Sequence, residues 1–382
     1  MLPFLHAAAA TTIASTSSLV RGGTAAIRTT LRLAVVGDTH EQYEDDDNAA
    51  LIGLAPDAVL FVGDFGNEDV NVVGIISKLQ DSLPCASIFG NHDVAYLSKL
   101  YRNRKLPRDA WAPPDEEDTD PNSSCSASAR TLRPRLGLGK QYSAVHEMHA
   151  LLERSNVAWG RRDFDDLSLS VAGGRPFSSG GGDLLAHKKT FYEDLFKGYD
   201  GIEFSARTIA RNIRDAPDGF ANVVLAHNGP TGLGEGASDI VGRDWQPRGR
   251  KQRDDPADWG DADLEAGLAS ASEGAHVPLV VFGHMHHALR DGGERRMALH
   301  DPSHNRLYLN AAHVPRWRRT TRGRERAFTL VELSRGGGGD GDARQEELAD
   351  SGTEWAATSA ELVWVLASGE VVEKRTLWPE SS

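Results

Sequence analysis

Cysteine is nearly absent: the 382 residues hold two, Cys85 and Cys125. That excludes a disulfide framework and a thiolate metal site, and it fits a reducing compartment. No apolar run is long and unbroken enough to span a bilayer. Positive charge is also short, with a formal net charge of −13. Such acidity argues against a general nucleic-acid or anionic-membrane surface, so a phosphate-bearing ligand would have to be drawn in locally. Asp and Glu are missing altogether from residues 1–30, which are rich in Ala, Ser and Thr and carry Arg21 and Arg28. That is the composition of a plastid or mitochondrial transit peptide; a secretory signal fits less well, because basic residues are missing before the apolar stretch.

What is present is a repeated punctuation. The apolar runs Leu33–Val36, Ala58–Val62 and Ala86–Phe89 each stop at a glycine followed by residues that can bind a cation. These are Gly37-Asp38-Thr39-His40, Gly63-Asp64 and Gly90-Asn91-His92-Asp93. Short apolar runs bounded by turn residues suit strands buried on both faces. Helical spacing over Asn48–Leu54 and Val70–Leu79 lies between them, giving β-α-β-α-β and hence parallel strands. All three clusters then fall at the C-terminal edge of one sheet, where open α/β folds place their ligands. Two further runs behave alike: Asn222–Ala226 ends in His227-Asn228-Gly229, and Leu279–Phe282 ends in Gly283-His284-Met285-His286. A single buried histidine is more often a packed core group than a ligand. Eight polar residues at the ends of five buried strands are another matter, because their desolvation needs a common partner, which a metal pair would supply.

The ordered set D-x-H, G-D, G-N-H-D, lone His and G-H-x-H resembles the calcineurin-like metallophosphoesterase superfamily over roughly residues 31–310. Gly173-Gly174-Arg175-Pro176-Phe177-Ser178 and Asn310-Ala311-Ala312-His313-Val314-Pro315-Arg316 are similar to a plastid and cyanobacterial branch of it. The resemblance implies an α/β fold: a four-layer α/β/β/α sandwich of two mixed β-sheets. It implies two divalent metal ions, one held by Asp38, His40, Asp64 and His286, the other by Asp64, Asn91, His227 and His284, with Asp64 shared. Carboxylate, amide and imidazole ligands favour Mn, Fe or Zn in an open, catalytic site. The implied activity is hydrolysis of a phosphoester, by a phosphatase or phosphodiesterase acting on a small molecule or nucleotide, with a metal-bridging hydroxide attacking phosphorus. His92 would serve the leaving group as general acid, and Asp93 would orient its ring. Protein Ser/Thr phosphatases of the superfamily carry Asp-Arg-Gly after G-D and Glu after G-N-H. Phe65-Gly66-Asn67 and Asp93 depart from that, which points to a small substrate. A non-catalytic metal-binding scaffold and a nuclease are the alternatives. The resemblance also selects chloroplast over mitochondrion or cytoplasm for the leader.

The expected organisation is a transit peptide over 1–30 and one catalytic domain over 31–380, with flexible inserts near 111–140, 231–261 and 334–351. Ser143–Ser155 reads as a helix with Ser143 as its cap. Val157–Trp159 and Leu167–Ala172 read as strands, the second entering a Gly-rich loop in which Arg175 is a candidate substrate-binding donor. The segment 231–261 leaves the metal edge directly after His227 and is a candidate substrate cap. Glu41-Gln42-Tyr43-Glu44-Asp45-Asp46-Asp47 reads as a solvated helix start, the competing reading being an outer-shell cation trap beside the metal site. The arginines at 316, 318, 319, 322, 324 and 326 read as a solvated loop, the competing reading being a local phosphate-binding strip. No membrane partner is expected, nucleic acid is disfavoured, and the oligomeric state is not readable.

Overall fold

The computed structural model describes residues 29–103, 139–181, 186–196, 198–245, 257–336 and 354–379. The leader expected over 1–30 lies outside them except for its last two residues, as do nearly all of the 111–140 and 334–351 segments.

β1 (Thr30–Val36), β2 (Ala58–Phe61) and β3 (Cys85–Ser87) run parallel, with α1 (Asp45–Leu54) and α2 (Val70–Leu79) as their crossovers. Alternation along β1 sorts its side chains between two cores. Leu31, Leu33 and Val35 face one cluster, Ala34 and Val36 the other. A buried parallel strand is apolar on both faces for this reason. α3 (Ala95–Arg102) starts directly behind the Asn91-His92-Asp93 turn, its N-terminal amide at Leu97 capped by Glu68 Oε1 at 2.6 Å.

The second half builds another sheet. Helix α4 (Gly139–Leu151) precedes the antiparallel pair β4 (Arg161–Phe164) and β5 (Leu169–Gly173). After α5 (Ala186–Leu195) and α6 (Ile202–Arg214) come β6 (Ala221–Leu225), α7 (Ala262–Ala271), β7 (Leu279–Phe282), β8 (Ala298–Asp301) and β9 (Arg306–Asn310). Its order is β4-β5-β6-β7-β9-β8, with β5, β6, β7 and β9 parallel. The chain then returns to the first sheet through β10 (Trp317–Thr320), β11 (Gly323–Arg335), β12 (Trp355–Val365) and β13 (Val371–Trp378). That sheet reads β13-β12-β11-β1-β2-β3, β10 pairing with β11. Leu33, Val35 and Leu60 meet Val171, Val223, Leu225 and Val281 between the sheets. Val36, Phe61, Val224 and Phe282 lie in the cluster that includes the helices. The four-layer α/β/β/α sandwich of two mixed sheets is therefore the architecture.

Two local expectations fail. Helix α4 begins at Gly139, so Ser143 lies inside it rather than capping it. Val157–Trp159 is no strand; β4 forms instead from Arg161-Arg162-Asp163-Phe164, whose charged residues hide it from a hydrophobic pattern. α5 and α6 are separated between Leu195 and Ile202, where the glycines at 198 and 201 adopt positive φ.

Candidate metal centre

The five turns that close β1, β2, β3, β6 and β7 meet at one edge. Asp64 is their common member. Its backbone carbonyl accepts from the amides of Thr39 at 3.0 Å and His40 at 2.8 Å. One carboxylate oxygen, Oδ1, accepts from the His92 amide at 2.7 Å and lies 3.4 Å from His227 Nε2; the other, Oδ2, lies 3.9 Å from His40 Nε2. Two groups of possible ligands thus share it: His40, Asp64 and His92 on one side, Asp64, His227 and His284 on the other. Asp38, His40 and His286 form a third, overlapping group, with Asp38 Oδ2 3.5 Å from His286 Nε2. His40 Nε2 and His286 Nε2 are 2.9 Å apart, and Asn91 Oδ1 is 3.1 Å from His227 Nε2.

The backbone is bent hard to achieve this. His40, Asp64 and His284 sit at φ of 42°, 51° and 66°, the left-handed region that costs a residue with a Cβ. Gly90 and Gly283 let the turns touch: a Cβ on Gly90 would collide with Asp64 Oδ1 and His227 Cε1, and one on Gly283 with Asp38 Oδ1. The glycines before Asn91 and His284 are therefore packing requirements as well as turn residues.

Electrostatically the centre is a set of buried donors without enough protons or cations to share. Burial works to raise Asp38, but its hydrogen bond to His286 and the nearby imidazoles hold it low; Asp64, equally buried, is held far below the carboxylate range chiefly by His227. His284 is driven down to about 3 by burial and by the neighbouring His227, so its ring is neutral. Its Nε2 is buried with no hydrogen-bond partner among the described residues. A neutral imidazole with an unshared lone pair, beside two ionised carboxylates, is suited to a divalent cation. His227 donates from Nδ1 to the Val62 carbonyl at 2.8 Å, which turns Nε2 toward Asp64 and Asn91 in the manner of an oriented metal ligand. The side chains present fit a metal pair of the expected kind. His287, one residue on, instead stacks on His313 at 3.8 Å, as neighbours on an extended chain must point apart.

His92 projects from the turn between β3 and α3. Its ring Nδ1 is 3.0 Å from Asn67 Oδ1, and its ring stands edge-on to His40 at 4.8 Å. The expected orienting role of Asp93 is not met. Asp93 is fully buried and turned away, its carboxylate accepting from the amides of Gly90 at 2.7 Å, Phe65 at 2.8 Å and Asp64 at 3.1 Å. It ties the Gly63-Asp64 turn to the Gly90-Asn91 turn, a structural clamp that places ligands. Burial, reinforced by the charge of Asp64, pushes its carboxyl well above the usual range. Asn67 holds the imidazole instead; a lone Asn offered nothing to single it out from sequence.

Arg175 is a second correction. It is 4% exposed, its Nη2 donating to Asp261 Oδ1 at 2.8 Å and its Nε to Asp263 Oδ2 at 2.9 Å. A guanidinium so committed has no hand free for substrate. The Gly-rich loop it belongs to braces the site from outside, with the Phe177 amide donating to the Phe89 carbonyl at 2.8 Å, just before Gly90. The described ends of the 231–261 segment are likewise tied down. The Trp259 amide donates to Val241 at 3.0 Å, and the Arg295 guanidinium donates to the carbonyls of Ala237 and Asp239, each at 2.8 Å.

The acidic and basic runs of the sequence answer each other. Arg316 pairs with Asp47 at 2.9 Å, Arg326 with Asp46 at 2.7 Å, and Arg324 with Glu44. The first run does open a helix, α1, and Asp45 and Asp46 stay exposed in its first turn, but Asp47 is buried against Arg316 and Arg326. Most of the arginine strip is likewise consumed in ion pairs, which weakens it as a phosphate-binding surface.

The fold is thus a two-sheet α/β sandwich with overlapping His and Asp clusters at one edge that could hold metal ions. The model of the calcineurin-like phosphoesterases matches residues 31–288, more than half of the chain, and the chain belongs to that family. The family typically binds two divalent metals. Among solved structures the chain is similar to the protein TT1561 of Thermus thermophilus (10% identity, 78% of this chain and 94% of that one covered, TM-score 0.40). It is also similar to a dimetal phosphatase from Danio rerio (12% identity, 92% and 99% covered, TM-score 0.37). A third is phosphopantetheinyl hydrolase from Mycobacterium tuberculosis (12% identity, 74% and 89% covered, TM-score 0.35). Among curated proteins, none matches the chain.

Proposed function

We propose that the chain is a metal-dependent hydrolase of phosphoesters on small molecules or nucleotides. The observation that carries this reading is the position of Asp64, a carboxylate reached by His40 on one side and by His227 on the other. Asp38, His40, Asp64 and His286 would hold one ion, and Asp64, Asn91, His227 and His284 the other. Two such ions supply positive charge to a phosphoryl group and lower the pKa of water.

The chain's own residues then orient and protonate. His92 gives a proton to the leaving-group oxygen, and Asn67, accepting from Nδ1, fixes which ring nitrogen faces the ester. The Asp93 clamp keeps the Asp64 and Asn91 turns at their spacing. With Arg175 committed elsewhere, Lys188 is the better candidate for meeting the substrate phosphate. It is buried on α5, and burial, with Arg175 and Arg102 nearby, brings it down to about 8. No carboxylate pairs with it among the described residues.

Replacing His92 by Ala is expected to lower turnover by about 10²–10⁴-fold, the usual worth of general acid catalysis, while both metal equivalents are retained. Metal analysis of the purified variant beside its kcat checks this. Loss of both ions from the variant would make His92 a ligand and defeat the assignment.

A further inference from the structure

An aromatic shelf continues the metal edge on the β6 side. Trp245 stands edge-on to His284, ring centroids 6.4 Å apart at 82°, and edge-on to Trp259 at 5.6 Å and 70°. Trp259 is the fixed member. Its Nε1 donates to the Ser179 carbonyl at 2.8 Å, its carbonyl accepts from Asn228 Nδ2 at 2.8 Å, and the Arg243 guanidinium lies 5.1 Å over its ring. Asn228 is the residue after His227, so the shelf is anchored to the turn that carries a ligand. Trp245 is half-buried, and among the described residues no ring stacks parallel on its indole.

We propose that Trp245 stacks with the leaving group of the substrate, and that this leaving group carries a nucleobase. The inference rests on the phosphoesterase reading above and names the substrate class of that same site. Three features favour it. The indole lies one ring beyond His284, a separation suited to the sugar between a phosphate and a base and too long for an aryl group bonded directly to the ester oxygen. Stacking tolerates any base and needs no charge, which suits a protein of net charge −13. An indole face at the rim of a phosphoryl site also has a direct use, because binding energy taken from the remote part of a substrate aligns the reacting part. Trp245 is thereby a specificity residue; the chemistry stays with His92 and the metal ligands.

The test compares kcat/KM of the metal-loaded protein for adenosine 5′-monophosphate, 4-nitrophenyl phosphate and glycerol 2-phosphate, in wild type, Trp245→Leu and Trp245→Phe. Expected is a fall of about tenfold or more in the ratio of adenosine monophosphate to glycerol phosphate for Trp245→Leu, carried mainly by KM, with the ratio largely kept by Trp245→Phe. An unchanged ratio, or a change confined to 4-nitrophenyl phosphate, overturns the inference and leaves the phosphoesterase reading standing. If wild type hydrolyses none of the three, nor bis(4-nitrophenyl) phosphate, with metal present, that reading falls and this one falls with it. Should Trp245→Leu fail to fold, product inhibition of wild type decides: adenosine is expected to inhibit at concentrations where ribose does not, and equal behaviour of the two contradicts the proposal.

Discussion

Asp64→Asn is expected to reduce metal-dependent hydrolysis by about 10³-fold, since an amide cannot supply the shared negative charge that holds two cations and the loss is worth several kcal/mol of transition-state stabilisation. The substitution keeps the shape of the side chain. The contacts from the Thr39 and His40 amides to the Asp64 carbonyl and from the Asp64 amide to Asp93 run through its backbone and survive, and the His92 amide, which donates to Oδ1, can donate to the Asn amide oxygen instead. The protein should therefore stay folded, bind at most one ion tightly and turn over slowly. Circular dichroism, metal content and kcat of the purified variant separate these three. A variant that keeps both ions and most of its rate would remove Asp64 from the centre.

Arg175→Met should act on stability instead. Asp261 and Asp263 are both buried, and their other partners, Ser178 and Ser205, are neutral hydroxyls. Leaving two buried carboxylates without their cation is expected to cost about 3–5 kcal/mol, the range seen when one partner of a buried ion pair is removed. The pair also ties the loop after β5 to the start of α7, so the loss should appear as a lower Tm with an unchanged KM in the folded fraction. A raised KM at an unchanged Tm would restore Arg175 as a substrate contact.

These two residues mark what could be read from the chain and what could not. The β-strands that lead to the metal edge are legible because each is a short apolar run that stops at a turn containing glycine, a local signal. The ligand types were legible for the same reason, as they stand within three residues of that glycine. Roles that depend on distant partners were not. Arg175 reads as a free donor until its carboxylates, 86 and 88 positions away, are placed beside it. The pairing of the acidic helix start with the arginines from Arg316 onward is invisible until a span of 269 residues brings Arg316 onto Asp47. Asp93 was misread by adjacency. On a tight turn the neighbour of His92 points into the protein, where three amides wait for it. The strands β4 and β10 were missed because edge strands rich in arginine carry no apolar alternation.

Hydrolysis of a chromogenic phosphomonoester and its bis-ester by the wild-type chain, with Mn²⁺ added or a chelator present and bound metal counted in the same samples, bears most directly on the metal centre. Two equivalents of metal per chain, with turnover that disappears on chelation and returns with Mn²⁺, is the expected result, and the faster ester separates phosphatase from phosphodiesterase. Turnover that persists in a metal-free sample would contradict it.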